Sequence, residues 1–178
     1  FNLRVLGDRV TCAPVDRTWI GRRMTESWDA RDHVPAVECM WWGYNSNLYD
    51  PAGIKEGAVV DYAARRVLGL VRWFQSHLGT DPTATYSTGG SMGGCAGIWI
   101  AWHHPEVFAA VRAHVPIVAY TSLGAGSVKR LDPCCGGKEG ITPATKMADG
   151  TQVLEYLDGA RYVKAATGDL PFLLISNG

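Results

Sequence analysis

The apolar residues between positions 60 and 78 recur at steps of three and four, which predicts an amphipathic helix of about five to six turns. Most arginines in this stretch fall off the apolar stripe. Gly79 is a natural C-cap, and Pro82 prevents the helix from continuing. The stripe consists of Val60, Ala63, Val67, Leu70, Val71, Phe74 and Leu78.

Shorter apolar or β-prone segments predict strands on either side of this helix. The run AVECMWW (36–42) ends at Gly43 and predicts a buried strand, and the loop after it is rich in turn formers. The run MGGCAGIWIAWHH, which Pro105 limits, predicts a second helix. Further strands are predicted near residues 3–7, 9–15, 83–88, 111–117 and 171–178, and a helical piece near 151–166.

The predicted elements alternate between strand and helix along the chain. This order favours an α/β fold with a mostly parallel sheet covered on both faces, which is a three-layer αβα sandwich. Right-handed crossovers bring the carboxyl ends of the strands to one edge, where ligands bind. We interpret residues 1–178 as a single but partial domain, with a truncated sheet and an insertion around 120–168, where loop-like patches predominate.

The composition narrows the classes of partner. Of the 178 residues, 47% are apolar, which is enough to form a hydrophobic core. The formal net charge is zero, which argues against a nucleic-acid binder. The apolar runs are far shorter than the roughly 20 residues of a membrane span. Five irregularly spaced cysteines indicate neither a disulfide framework nor a zinc site. The sequence implies no metal and no cofactor, and it leaves the compartment open.

The residues from Gly89 to Gly93 match the pattern G-x-S-x-G, with Ser91 at its centre. A β-prone run precedes the pattern and a helix follows it, which is the context of a nucleophile elbow. We expect Gly89 and Gly93 to occupy places where only a hydrogen fits, and the Met92 amide to donate to an oxyanion. Phosphate-binding glycine motifs do not fit, whereas a purely structural glycine turn remains an alternative.

The segment around Ser91 resembles the α/β-hydrolase superfamily. The resemblance is strongest to its esterase and prolyl-oligopeptidase-like branches and rests on GGSMGG, with DYAARRVLGLVRWF before it and HPEVFAA after it. It covers residues 36–118 and extends to the last strand. It implies a second oxyanion donor after an earlier strand, for which MWWGYN offers the amides of Gly43 or Tyr44. An ordinary turn glycine beside a half-buried tyrosine is the alternative.

The resemblance also places lid or specificity elements in the insertion at 120–168. Tyr120 and the Cys134–Cys135 loop would then face the substrate. Trp41, Trp42 and Tyr44 would line an apolar pocket near the serine, although aromatic residues in such a run are more often simply core.

The acid and the histidine that the resemblance implies are not evident in the sequence. In the superfamily both follow the serine, the acid after a strand like PFLLISNG and the histidine after the next strand. The acidic residues after Ser91 are equally well explained as solvated side chains. No histidine of the chain follows the last strand; the five are His33, His77, His103, His104 and His114. The aspartates after Ser91 are Asp132, Asp149, Asp158 and Asp169.

Three explanations of the missing partners stay open. The sequence is an internal piece of a longer hydrolase, or a second chain supplies the partners, or His114 or His33 has taken over as the base. The favoured function is a serine hydrolase that cleaves small carboxylic esters through an acyl-enzyme on Ser91. A peptidase or acyltransferase of the same fold, or a non-catalytic hydrolase-like binding domain, is the alternative.

Overall fold

A computed structural model describes residues 2–14, 18–19, 36–37, 39, 41–48, 54, 57–120, 132–136 and 140–177. In chain order its elements are β1 (Asn2–Leu6), β2 (Arg9–Ala13), β3 (Thr18–Trp19), β4 (Ala36–Val37), β5 (Tyr44–Asn45), β6 (Val59–Val60), α1 (Tyr62–Leu78), a 3₁₀ turn (Pro82–Ala84), β7 (Tyr86–Gly90), α2 (Met92–His103), β8 (Ala110–His114), α3 (Asp132–Cys135), α4 (Val153–Tyr156), α5 (Gly159–Ala165) and β9 (Phe172–Ser176).

Strands β7, β8 and β9 form a parallel sheet in that spatial order. The face that carries Val111 and Ala113 is covered by α2, because glycines of α2 let its backbone approach these side chains. The opposite face exposes Tyr86, Phe172 and Leu174, with 69%, 70% and 52% of their surface accessible. A parallel sheet with helices confirms the α/β class, and in the described residues this sheet carries helix on one face.

The other described strands pair in antiparallel fashion, β1 with β2, β3 with β4 and β5 with β6. Val59 of β6 also lies beside Met147, where it exchanges backbone hydrogen bonds with Lys146 and Ala148. The turn-rich loop therefore begins with a short strand, β5, that the sequence did not predict. Val60, predicted on the helical stripe, lies instead in β6, because α1 begins only at Tyr62.

The strand predicted over residues 36–42 is present in its first two residues, whereas the end of the segment forms a turn. Ala36 and Val37 are extended, but Trp41 and Trp42 lie in a turn in which the Trp42 amide donates to the Cys39 carbonyl at 3.1 Å. Trp41 has a φ of 64°. The apolar run reflects burial rather than strand, since both tryptophans are in the core although the chain turns there.

Helix α1 runs from Tyr62 to Leu78 and ends at Gly79, whose φ of 62° confirms the predicted C-cap. Ala63, Leu68 and Phe74 are buried on its inner face. Leu78, predicted to lie on the apolar stripe, is 45% exposed because the last turn extends beyond the core.

Helix α2 is buried almost all round and forms the centre of the core. The Trp99 ring is inaccessible to solvent and meets Trp42 edge-on at 5.0 Å and Trp102 at 5.3 Å between centroids. Edge-to-face aromatic pairs of this kind add about 0.5–1.5 kcal/mol beyond area burial. They join the turn at residues 41–42 to the helix that follows Ser91.

The insertion differs from its predicted role. Tyr120 and Cys134 have no accessible surface and Cys135 has 2%, so these residues are core and do not face a substrate. The helical piece near 151–166 is two short helices, α4 and α5, because Asp158 caps the second by accepting from the Arg161 amide at 3.1 Å.

Candidate active site

Ser91 occupies the turn between β7 and α2, with φ 48° and ψ −119°. L-residues seldom adopt such a backbone conformation, which persists only where neighbouring contacts hold it. Those contacts are a hydrogen bond from the Ser91 amide to the His114 carbonyl at 2.8 Å and one from the Cys95 amide to the Ser91 carbonyl at 2.9 Å. The residue is exposed and its side chain makes no capping bond to α2, which leaves the hydroxyl accessible at the carboxyl edge of the sheet.

Glycine is required at position 89 because the chain folds back on itself. A Cβ on Gly89 would lie 2.5 Å from the Gly93 carbonyl oxygen and 2.9 Å from the Gly94 nitrogen. The expectation for Gly93 is not met, since a Cβ there would meet no atom within 4 Å. The close approach on the helix side falls on Gly94 and on Gly97, whose Cβ would lie 2.7 Å from the Ser87 hydroxyl.

The amino end of α2 points unsatisfied amides toward the serine. The first amides of a helix have no intrahelical partner, and Ser91 does not cap them with its side chain. The Met92 amide is the first of these, and the helix dipole adds positive potential there. A negative charge that develops next to the Ser91 hydroxyl would be favoured at this position.

The turn at Gly43 is held on both sides. A Cβ on Gly43 would overlap the Val60 carbonyl oxygen and would lie 2.6 Å from the Val60 carbonyl carbon. Glycine is therefore required at this position. The Trp42 carbonyl accepts from the Ala64 amide in the first turn of α1 at 3.3 Å. Because a trans peptide directs its N–H opposite to its C=O, the Gly43 amide points away from α1.

The Tyr44 amide is already used within β5. The strand register pairs Tyr44 with Val60, and the bond from the Ser46 amide to the Ala58 carbonyl at 2.8 Å fixes which pairs exchange hydrogen bonds. Hydrogen-bonded pairs alternate along antiparallel strands, so Tyr44 and Val60 form one of them. Of the two amides expected in this loop, the Tyr44 amide is therefore occupied and only that of Gly43 is oriented outside the ladder.

The aromatic residues of the same loop divide between core and surface. Trp41 and Trp42 are buried and belong to the hydrophobic core. The half-buried Tyr44 ring stacks on Tyr62 at 4.7 Å with a tilt of 33°. The pKa of Tyr44 is raised, mainly by burial and also by its neighbour Tyr62.

The side chains of the described histidines contact groups other than the Ser91 hydroxyl. His77 is at the exposed end of α1, His103 is the last residue of α2, and His104 follows it. His114 ends β8 beside the elbow, but its Nδ1 pairs with the Ser176 hydroxyl at 3.1 Å. His33 lies outside the described residues. In the described part of the chain, no histidine or carboxylate is hydrogen-bonded to the Ser91 side chain.

The acidic residues after Ser91 have local roles or lie in the solvent. The Asp149 carboxylate accepts from the Thr151 amide at 2.9 Å, which lowers its pKa. Asp158 caps α5, Asp169 is exposed, and Asp132 is the first residue of α3. The positions of Asp149, Asp158 and Asp169 agree with the interpretation of their carboxylates as turn, cap and surface groups.

One structural feature near the elbow, at Val115, had no sequence signal. Val115, directly after β8, has a φ of 45°, which is an uncommon conformation for a β-branched residue. Its amide donates to the Ser176 carbonyl at 2.8 Å. The carboxyl edge of this sheet therefore carries strained residues after two adjacent strands, at Ser91 and at Val115, and strain of this kind is concentrated at functional sites.

A half-buried histidine at the opposite end of α2 was also missed. His103 stacks on Tyr156 with 4.0 Å between the ring centroids and on Trp99 at 5.8 Å. Burial, together with His104, lowers the pKa of His103 to about 4. This imidazole is neutral at pH 7 and acts as an aromatic core group.

We expect His103 to make the protein less stable between pH 6.5 and pH 4. The unfolded chain, in which the histidine pKa is near 6.5, binds a proton in this window that the folded chain does not. Stability attributable to this residue is complete above pH 6.5 and falls by about 3 kcal/mol by pH 4. Urea unfolding of the wild type and His103→Phe at pH 7, 6, 5 and 4 measures the difference.

The matched control is His77→Phe, which removes a histidine from the exposed end of α1. This variant should keep the wild-type pH dependence, whereas His103→Phe should flatten it. Identical pH dependences in the wild type and His103→Phe would contradict the assignment of this stability loss to His103.

The described residues include no group of three or more histidine, cysteine, aspartate or glutamate side chains arranged to hold a metal ion. Within those residues there is also no helix of the length and apolarity needed to cross a membrane.

One family model, described as putative esterase, matches residues 58–129. The matched segment contains α1, β7, the turn at Ser91, α2 and β8. The match supports an esterase-type, α/β-hydrolase-like family and suggests ester hydrolase activity on a small molecule. It does not extend to the prolyl-oligopeptidase-like branch. Comparison with curated proteins and with solved structures gave no match.

Proposed function

We propose that this protein is a serine hydrolase that cleaves small carboxylic esters through an acyl-enzyme on Ser91. The observation that carries the proposal is the Ser91 backbone, with φ 48° and ψ −119°, between a parallel strand and a helix. A nucleophile elbow needs this strained strand–turn–helix geometry to raise the hydroxyl above the sheet. The putative esterase match over residues 58–129 supports the same chemistry.

The reaction would proceed in two displacement steps. The Ser91 oxygen attacks the ester carbonyl while a base takes the hydroxyl proton, and the alcohol leaves with a proton as the acyl-enzyme forms. Water then attacks the acyl-enzyme and releases the acid. The Met92 amide would stabilise the oxyanion of both tetrahedral intermediates, with Gly43 as the second donor. The proposal assigns the nucleophile and the donors and leaves the base and the acid unassigned.

The parallel sheet would belong to one α/β-hydrolase domain that includes residues 1–178, with helices on both sheet faces and the insertion at 120–168. Its apolar outer face at Tyr86 and Phe172 supports this, because parallel sheets are normally covered on both sides.

A direct test is mass spectrometry of the intact protein mixed with p-nitrophenyl acetate and longer p-nitrophenyl esters. The proposal expects an acyl adduct on the peptide that contains Ser91, with p-nitrophenol released. A peptidase would instead cleave peptide substrates faster than esters. A folded chain that binds the esters without forming an adduct would favour the non-catalytic binding domain.

The His114→Gln variant tests whether His114 is the base for Ser91 or has no role in acylation. Because the His114 ring pairs with Ser176 and not with Ser91, we expect the rate of Ser91 acylation to change by less than about threefold. Stopped-flow release of p-nitrophenol measures this rate. A loss of about a hundredfold or more would identify His114 as the base and contradict this prediction.

A further inference from the structure

Asn45 is the polar side chain that the described part of the protein buries in its core, with 3% of its surface exposed. Its Nδ2 donates to the Gly57 carbonyl at 3.0 Å and to the Cys135 carbonyl at 3.4 Å, and its Oδ1 accepts from the Asn47 amide at 2.8 Å. A buried amide with these bonds specifies one arrangement of the backbones around it.

The partners of Asn45 connect it to the turn at Gly43. Cys135 of α3 accepts from Asn45 through its carbonyl, and its thiol lies in donor position 3.9 Å from the Gly43 carbonyl. The segment from Gly43 to Asn45 is thereby attached twice to the same residue of the insertion. The Ala64 amide holds the preceding Trp42 carbonyl, so the peptide groups on both sides of Gly43 have fixed orientations.

The space around Asn45 is closed on the side of Gly57. A Cβ on Gly57 would overlap the Asn45 Oδ1, and it would lie 2.8 Å from the Ser46 Oγ and 2.9 Å from the Asn45 Cγ. The Asn45 amide therefore packs directly against the Gly57 backbone, at a place where a side chain on residue 57 would not fit. This tight fit makes Asn45 the point at which β5, the chain entering β6 and α3 meet.

We propose that Asn45 is a positioning residue that holds the Gly43 amide in place as an oxyanion donor. The inference rests on the proposed function, because it needs Ser91 to form a tetrahedral intermediate. Asn45 acts through the backbone and does not touch the reacting atoms. In this role, α3 of the insertion supports the segment from Gly43 to Asn45 that carries the proposed oxyanion donor.

The decisive variant is Asn45→Asp, which keeps the shape of the side chain and replaces two N–H donors by a carboxylate oxygen. That oxygen would face the carbonyls of Gly57 and Cys135 and would separate β5 from α3. Removing one oxyanion donor lowers kcat by about a hundred- to a thousandfold, so misplacing one should lower kcat by about ten- to a hundredfold. KM should change by less than about threefold, because the lost interaction forms only in the transition state.

A second variant and a control distinguish the positioning role of Asn45 from misfolding of a single variant. Gly57→Ala places a methyl group against the Oδ1 of the Asn45 side chain and should therefore lower kcat to a similar extent. Ser46→Ala alters the exposed neighbour of Asn45 and should leave kcat and KM unchanged. Circular dichroism and the thermal midpoint establish that each variant is folded at the assay temperature.

A readout that does not depend on turnover completes the design. Hydrogen–deuterium exchange should rise in residues 41–48 and 132–136 together in Asn45→Asp, and in neither segment in Ser46→Ala. A rise confined to residues 44–48 would overturn the proposed link. A folded Asn45→Asp with wild-type kcat would overturn the positioning role while the ester hydrolase function stands. A wild type that forms no Ser91 adduct would overturn both, and the exchange data would still report whether Asn45 connects the two segments.

Discussion

Ser91→Ala should abolish acylation of the protein and reduce ester turnover by about a millionfold, to the small residual rate that the oxyanion donors and substrate binding provide. The Ser91 hydroxyl is accessible and stands directly before the unsatisfied amides of α2. Removing its oxygen eliminates the nucleophile but leaves the backbone of the turn in place. The free energy of unfolding should change by less than about 1 kcal/mol.

The measurement is labelling with a fluorophosphonate probe, with Ser87→Ala as the matched control on strand β7. Ser87 faces the α2 helix near Gly97, and its loss should leave the labelling intact. Labelling that persists in a folded Ser91→Ala protein would place the nucleophile elsewhere. Labelling of the wild type that disappears in Ser91→Ala would establish the nucleophile and would show that a functioning base is present.

Gly89→Ala should destabilise the protein by about 3 kcal/mol or more and should slow the labelling of Ser91. The new methyl group would be forced to within 2.5 Å of the Gly93 carbonyl oxygen, where both partners are backbone and neither can rotate away. The turn would have to open, which moves the Ser91 hydroxyl and the first amides of α2 apart. Urea unfolding and the labelling rate measure the two effects.

The adjacent glycine provides the control for this prediction. A Cβ on Gly90 would meet no atom within 4 Å, and the φ of Gly90 is not positive. Gly90→Ala should therefore be tolerated within about 1 kcal/mol and should still label. Gly93→Ala should behave in the same way, although the motif pattern treats that glycine as fixed. Equal losses in Gly89→Ala and Gly90→Ala would show that chain flexibility, not space, makes the glycines necessary.

Local patterns along the chain were sufficient to predict α1 and its glycine cap, α2, β8, β9 and the strand–turn–helix context of Ser91. These features depend on interactions between residues close in sequence, such as the three- and four-residue apolar period and the need for glycine before the serine. The Ser91 nucleophile and the Met92 donor remain predictions that the geometry of this turn supports.

Predictions that depended on distant contacts were less accurate. The apolar run 36–42 was assigned to a strand, but Trp41 and Trp42 lie in a turn, and the Trp42 ring packs on Trp99 of α2. Tyr120 and the two adjacent cysteines were expected beside the substrate and are instead core. In each case burial alone was visible in the sequence, and the identity of the neighbour that buries the residue was not.

The sequence by itself determined the α/β class, the turn that presents Ser91 and the glycine that this turn requires, because adjacent residues impose them. Only the tertiary structure decided that the Tyr44 amide is occupied by Val60, that Gly94 and Gly97 rather than Gly93 approach the sheet, and that Asn45 joins β5 to α3. These outcomes depend on atoms from segments up to 90 residues apart, whose distances follow from packing and not from spacing along the chain.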